Sequence, residues 1–430
     1  MFNAFIQAFK TPDVRRKLVF TLFIMALFRA GSFVPLPGVS FTNVQYCVQQ
    51  SEQGGLLDLM NLFSGGALLQ LSVFALGIMP YITASIITQL LRVVIPRFED
   101  LHKEGQTGQA VLTQYTRYLT IALGVLQSTT IITAGRTGAL FGGTCDRQII
   151  PDQSVWTFVL QIMVMTAATG LIMWMGELIT EKGIGNGMSL LIFTSIIASM
   201  PTNLWGVAQS NDGLKKAALV LALILLVTLA VVFVEQSTRR IPVQYAKRMV
   251  GRRLYGGTST YIPLKINMSG VIPVIFSSSI LALPQMIAGF ADREKPWVQW
   301  IQSNFAQTSW VYMVVYGLLT FAFAFFYTSI TFNPDEVADN MKKYGGFIPG
   351  IRAGKPTAEY LRYTMSRITT AGATYLTIVA LLPQIAMTAM GITSMPFGGT
   401  TILIVVGVGL QTVKEINAQL QQHHYEGFLK

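Results

Sequence analysis

Ala217-Ala218-Leu219-Val220-Leu221-Ala222-Leu223-Ile224-Leu225-Leu226-Val227-Thr228-Leu229-Ala230-Val231-Val232-Phe233-Val234 runs from Lys216 to Glu235 without a charged side chain. An α-helix rises 1.5 Å per residue, and about 20 mostly apolar residues cross the hydrocarbon core of a bilayer. The stretch reads as a membrane span. Seven further stretches lack Asp, Glu, Lys and Arg: 59–91, 118–135, 153–176, 183–211, 266–291, 296–334 and 368–413. Each holds one span except the last, whose 46 residues hold two, broken by the turn-rich residues 390–399. Another span starts at Leu18 and tolerates Arg29 near its far end. Ten spans result. The first is followed by Pro35-Leu36-Pro37-Gly38 and nine more, so it reads as an anchor and not a cleaved leader.

Composition agrees. Of 430 residues 52% are hydrophobic and 12% charged, against roughly 25% charged in a soluble domain. The mean hydropathy is +0.50. Counted over alternate sides, 24 of the 31 Lys and Arg fall on the side of the N-terminus. Six fall on the other (Arg136, Arg147, Lys215, Lys216, Arg293, Lys295), and Arg29 lies within a span. Positive charge stays inside, so both termini are expected in the cytoplasm. Two loops on that side, 235–265 and 333–367, run to about 30 residues, where bundle connections need 2–8. Lipid attraction explains their sign. Their length and their Gly- and Pro-bearing turns point to docking of an acidic protein or an RNA backbone. Cys47 and Cys145 are the only cysteines. Both fall in predicted outer loops, and nothing in the sequence gives ground to expect that they pair.

Gly77-Ile78-Met79-Pro80-Tyr81-Ile82 recurs 193 residues later as Gly270-Val271-Ile272-Pro273-Val274-Ile275, with Ser85 matching Ser278 and Ile87 matching Ile280. Five spans per half would invert one half against the other, an arrangement of channels and transporters with a path between the halves. Pro80 and Pro273 are expected to loosen or kink the start of their helices. Residues 55–66 form an amphipathic segment of about three turns ending in Gly65-Gly66. It is too short to span, and either lies on the surface or re-enters a cavity.

Catalytic constellations are missing. The three histidines, His102, His423 and His424, lie outside the spans. No phosphate-cradling glycine motif occurs, and Gly183-Ile184-Gly185-Asn186-Gly187 reads as a tight turn opening the fifth span. No catalytic residue, cofactor or metal site is expected. The absence of charge near span midpoints weighs against a coupled carrier and a conventional ion channel. An inverted-repeat secondary transporter stays open as the second reading.

Several stretches resemble the SecY family, the large subunits of protein-conducting translocons, in its bacterial branch. They are Phe63-Ser64-Gly65-Gly66-Ala67, Phe74-Ala75-Leu76-Gly77-Ile78-Met79-Pro80-Tyr81-Ile82, Gln114-Tyr115-Thr116-Arg117-Tyr118, Val250-Gly251-Arg252-Arg253, Pro263-Leu264-Lys265-Ile266-Asn267, Phe332-Asn333-Pro334 and Phe347-Ile348-Pro349-Gly350-Ile351-Arg352. The resemblance implies an all-α integral membrane protein of ten transmembrane helices in two inverted five-helix halves, 1–205 and 214–430, with a short re-entrant plug helix. The plug would comprise Leu56, Leu57, Asp58, Leu59, Met60, Asn61, Leu62, Phe63, Ser64, Gly65, Gly66 and Ala67. A pore ring would comprise Ile78, Ile82, Met188, Ile192, Ile275 and Ile404, softer at the unbranched Met188. A lateral gate would run between the second and seventh spans, flanked by the third and eighth. Thr83, Ser85, Gln127 and Ser278 would hold it shut by polar contacts. Arg239, Arg240, Lys247, Arg252, Arg253 and Arg352 would meet the SecA motor and the ribosome. The implied protein is not an enzyme. It is the channel subunit of a translocon in the bacterial cytoplasmic (inner) membrane, with SecE and SecG as fellow subunits, and with signal peptides, nascent chains and membrane lipid as further partners.

Overall fold

The computed structural model describes residues 9–50, 61, 64–137, 147–208, 213–245, 248–250, 253–255, 259–290, 295–305, 309–389 and 399–426. The helices are α1 (Pro12–Gly31), α2 (Phe41–Gln50), α3 (Met79–Val94), α4 (Pro96–Lys103), α5 (Gln106–Arg136), α6 (Val155–Lys182), α7 (Gly187–Ala208) and α8 (Gly213–Gln236). After a β-rich insertion come α9 (Ile272–Phe290), α10 (Pro296–Asn304), α11 (Trp310–Thr331), α12 (Pro334–Lys343), α13 (Lys355–Ala389) and α14 (Gly399–Glu426). Among the described residues six helices (α5, α6, α8, α11, α13 and α14) are long and apolar enough to cross a membrane. The bent pair α3 and α4, angled at 100°, makes seven if taken as one span. The ten expected spans are thus not all met by length and composition. The shortfall has local causes. α1 carries Asp13, Arg15, Arg16 and Lys17 in its first turns. α3 stops after 16 residues, and α7 and α9 contain Pro201 and Pro284.

The expected all-α class needs a correction. Five strands occur in the two basic loops: β1 (Thr238–Tyr245), β2 (Arg248–Val250), β3 (Arg253–Tyr255), β4 (Ser259–Lys265) and β5 (Gly346–Phe347). β2 and β3 form a hairpin, while β4, β1 and β5 form a three-stranded sheet in that order. β5 comes from the second basic loop, so Gln244 pairs with Phe347 and Tyr245 with Gly346. Ile241 and Val243 are buried while Arg240, Pro242 and Gln244 face out, the period-2 alternation of a half-buried strand. Beneath lie Leu264, Met341, Ile348, Leu361, Met365 and Ile368. The two loops are one platform with its own core.

Pro80 and Pro273 also behave differently from expectation. Each is the second residue of its helix. An N–H there has no intrahelical partner, so proline starts the helix without a kink. In both copies of the repeat a glycine precedes the start: Gly77 at φ 54° and Gly270 at φ 64°. Only glycine takes such values freely. Backbone bonds repeat as well, Ile82 N–H to Ile78 O at 3.1 Å and Ile275 N–H to Val271 O at 3.3 Å.

The turn before α7 is as expected. Asn186 Oδ1 accepts from Met188 N–H at 3.1 Å and Ser189 N–H at 3.3 Å, capping the helix. A Cβ on Gly187 would lie 1.9 Å from the Gly176 carbonyl oxygen, so α6 and α7 touch backbone to backbone here. Gly187→Val should prise them apart at a cost above about 3 kcal/mol. The expected result is loss of intact protein from membranes. Wild-type protease resistance would contradict it.

Cys47 is disulfide-bonded and 0% exposed, contrary to the sequence reading. The one other cysteine of the chain, Cys145, lies outside the described residues. The chain around Cys47 is tied to residues 147–149. Asn43 Nδ2 donates to Gln148 O at 2.9 Å, Ser40 N–H donates to Ile149 O at 3.0 Å, and the Arg147 guanidinium lies 4.1 Å from the Tyr46 ring centre.

Candidate functional site

Sixteen buried apolar residues form one cluster, drawn from α1, the 74–78 turns, α6, α7 and α14. Ile78, Met188, Ile192 and Ile404 belong to it, and Ile82 and Ile275 pack against it. The six residues of the expected ring thus fall in or against one apolar cluster, although they come from four separate segments. Ile82 and Ile275 are repeat equivalents, each one turn into its helix. Ile78 and Ile404 are 1% exposed. Met188 fits because α6 offers Gly176 opposite it: a Cβ there would sit 2.5 Å from the Met188 sulfur. Its flexible thioether fills a gap that a branched side chain would not.

A cavity of about 620 Å³ leads to this cluster. Three walls can be followed inward by residue number. One runs from Asn186 in the capping turn and Ser189 on α7 to Ile192, and one on α14 from Glu415, Lys414 and Gln411 to Ile404. The third runs from Lys265 and Asn267 to Ile275. Each wall begins polar and ends on an isoleucine of the expected ring. Asn267 Nδ2 donates to Glu235 Oε1 at 2.6 Å and to Gly270 O at 3.1 Å, which fixes the entry to α9. The mouth carries both signs of charge, Lys265 and Lys414 with Glu235 and Glu415. Such a surface wets well, and the apolar floor does not.

Residues 72–413 match the SecY family model. The chain belongs to the SecY family. Protein translocase subunit SecY of Streptomyces coelicolor is 58% identical over 437 residues, covering all of both chains. The Mycobacterium tuberculosis protein of the same name is 55% identical over 443 residues, again covering both in full. Among solved structures, one described as a protein conducting channel superposes with a TM-score of 0.61 at 17% identity, over 94% of this chain and 91% of that one. Sec61 in a canine ribosome-channel complex from the endoplasmic reticulum gives 0.57 at 16% identity, over 94% and 91%. These two likenesses carry the fold. A SecY-family chain is a multi-pass membrane subunit of a protein translocase and not an enzyme. The secondary-transporter reading finds no support.

Other SecY-like positions divide. Of the expected plug, Leu56, Leu57, Asp58, Leu59, Met60, Leu62 and Phe63 lie outside the described residues. Asn61 and the stretch from Ser64 to Ala67 are described. Asn61 O accepts from Gly66 N–H at 2.9 Å and from Ser64 Oγ at 3.0 Å, and Asn61 Oδ1 accepts from Leu69 N–H at 3.2 Å. Arg29, which the sequence reading only tolerated, donates from Nη1 to the Gly65 carbonyl.

The expected gate contacts are not cross-helix bonds. Thr83 Oγ1 donates to Met79 O at 2.9 Å, Ser278 Oγ donates to Ile275 O at 2.8 Å, and Ser85 Oγ accepts from Gln89 at 3.4 Å. Each stays within its own helix. Gln127 Oε1 is buried without a partner. α3 packs mainly on α5, and α9 on α11. Sequence reasoning missed the clamp between α5 and α6: Arg117 on α5 donates to both Glu177 oxygens on α6, at 2.9 and 2.8 Å. A bidentate pair lets two charges sit near a span end.

On the platform, Arg239, Arg240 and Arg352 are exposed. The Arg240 guanidinium lies 4.8 Å from the Tyr261 ring centre. Arg253 is on β3, while Lys247 and Arg252 lie outside the described residues.

Proposed function

We propose that the chain is the channel subunit of a Sec translocon in the bacterial cytoplasmic membrane, passively conducting unfolded polypeptides across it. The observation that carries this is a cavity with a charged mouth that ends on buried apolar residues from both halves of the chain. A sequence-indifferent conduit needs that combination. An apolar ring offers no specific hydrogen bond, so every passing side chain meets a similar surface, and when empty it dewets and blocks ions.

The finer reading follows. Ten spans cross the membrane, five from 1–205 and five from 214–430, with both termini and the platform in the cytoplasm. Ile78, Ile82, Met188, Ile192, Ile275 and Ile404 form the constriction, and residues 56–67 plug the outer side. Parting of α3 and α5 from α9 and α11 releases hydrophobic segments sideways into lipid. Because Thr83, Ser85 and Ser278 bond within their own helices, the gate is closed mainly by packing, and a signal peptide opens it by replacing apolar contacts with its own. SecE and SecG complete the complex. The platform receives SecA or the ribosome, and these supply the energy that a chain without catalytic groups does not.

The test is transport into vesicles holding the chain with SecE and SecG. A signal-bearing unfolded polypeptide should become protease-protected on addition of SecA and ATP. The same polypeptide without its signal should remain accessible. No protection in tightly sealed vesicles containing the inserted complex would contradict the proposal.

A further inference from the structure

Arg29 is the one Lys or Arg of the chain that the charge pattern leaves inside a span. Such a group is costly there unless it finds partners. The structure supplies two. Nη1 donates to the Gly65 carbonyl, 36 residues away, and the guanidinium lies 4.6 Å from the centre of the Phe33 ring. Gly65 is itself tightly held. It sits at φ 67°, and a Cβ on it would lie 3.1 Å from Arg29 Nη1 and 3.2 Å from Ser195 Cα on α7. Only glycine lets a backbone carbonyl reach the guanidinium while the chain lies against α7. Ser195 Oγ spends its own hydrogen on Leu191 O at 3.1 Å, so the charged donor comes from α1 alone. The turn that Arg29 grips is tied downstream, since Leu68 N–H donates to Ser64 Oγ at 3.1 Å and Leu68 is 0% exposed.

We infer that Arg29 is a positioning residue for the closed channel: its guanidinium latches the base of the plug segment through the Gly65 carbonyl. The inference rests on the plug reading above and adds the group that seats it. The bond joins a charged donor to a neutral backbone acceptor in a water-poor site, where it is stronger than in water. It also carries no side-chain specificity, so seating does not depend on which residues line the plug. When the segment leaves, the guanidinium loses its hydrogen-bond acceptor and keeps only the Phe33 ring. That cost favours return of the segment and closes the channel after each passage. A guanidinium that merely reached for the membrane surface would serve no such purpose, and neutral substitution would then leave the seal intact.

Resting ion flux through vesicles holding the complex reads the latch, without substrate or motor. Arg29→Leu and Arg29→Gln should raise it about tenfold, the effect of losing one charge-assisted bond of roughly this class. Arg29→Lys, which keeps the charge and one donor, should stay within about threefold of wild type. Equal protein levels and equal protease patterns control for folding. Deletion of 57–66 separates the two readings. If the deletion leaks and Arg29→Leu adds nothing to it, the latch acts through the segment. If the deletion leaks and Arg29→Leu alone does not, the latch is wrong and the plug stands. If the deletion does not leak, the plug reading falls first.

Discussion

Replacing Ile78, Ile192 and Ile404 together with serine is expected to raise the resting ion conductance of the complex by at least about tenfold, because a tenfold rate needs the barrier to fall by only about 1.4 kcal/mol. Three hydroxyls can each contribute on the order of 1 kcal/mol of hydrogen bonding to water in the constriction. A rise nearer a hundredfold is within their reach. The three residues come from the 74–78 turns, α7 and α14, so the effect samples the whole closure and not one helix. Burying hydroxyls in a core also destabilises, by a few kcal/mol for three sites. The triple valine variant controls for this. It loses packing too but keeps the floor apolar, and it should stay shut. Equal leakage from serine and valine variants would mean that the seal is steric and not dewetting.

Arg352→Glu is expected to cut ATP-dependent transport by about ten- to a hundredfold, the usual range when one charge of an interfacial pair is reversed. The loop explains the size of the effect. Gly350 at φ 83° and Gly354 at φ 101° bracket Arg352, and both values lie in the left-handed region. Ile348 anchors the loop in the platform core, and Thr357 Oγ1 donates to the Arg352 carbonyl at 2.9 Å. A stiff loop therefore presents an exposed guanidinium at little entropic cost. Arg352→Lys should lie between the two, because a lysine keeps the charge but loses the planar fork. The rate of ATP-driven protease protection measures it, with membrane levels of the variant as control. Normal rates for Arg352→Glu would remove this loop from the docking surface.

The membrane part of the fold was largely legible in the sequence, since hydropathy there is the dominant force. The spans at 118–135 and 217–234 fall inside α5 and α8, and all but the first two residues of 153–176 fall inside α6. The repeat was legible for a sharper reason. A glycine two residues before a helix start and a proline at its second position are local requirements, and both copies keep them. The ring was not legible from periodicity. Ile78 and Ile404 look like any packed isoleucine, and only the family likeness set them apart; the structure places both in one buried apolar cluster. The platform was readable but was not read. Ile241-Pro242-Val243-Gln244 alternates as a strand should, yet the search for spans treated the loop as charge and turns. Its pairing with β5 is non-local, over about 100 residues, and no pattern in either loop announces it. The same holds for Cys47, Arg29 and the Arg117–Glu177 clamp, whose partners are distant in sequence and close only in the fold.

The central claim is that the polypeptide passes through the ring between Ile275 and Ile404. A photoreactive residue at either position, in vesicles holding the complex with SecA and ATP, tests it with a secretory chain stalled part-way. Crosslinks to the stalled chain at both positions, lost when its signal is removed, are the predicted result. Transport that proceeds with no crosslink at either position, while lipid-facing positions such as Leu225 do crosslink, would contradict it.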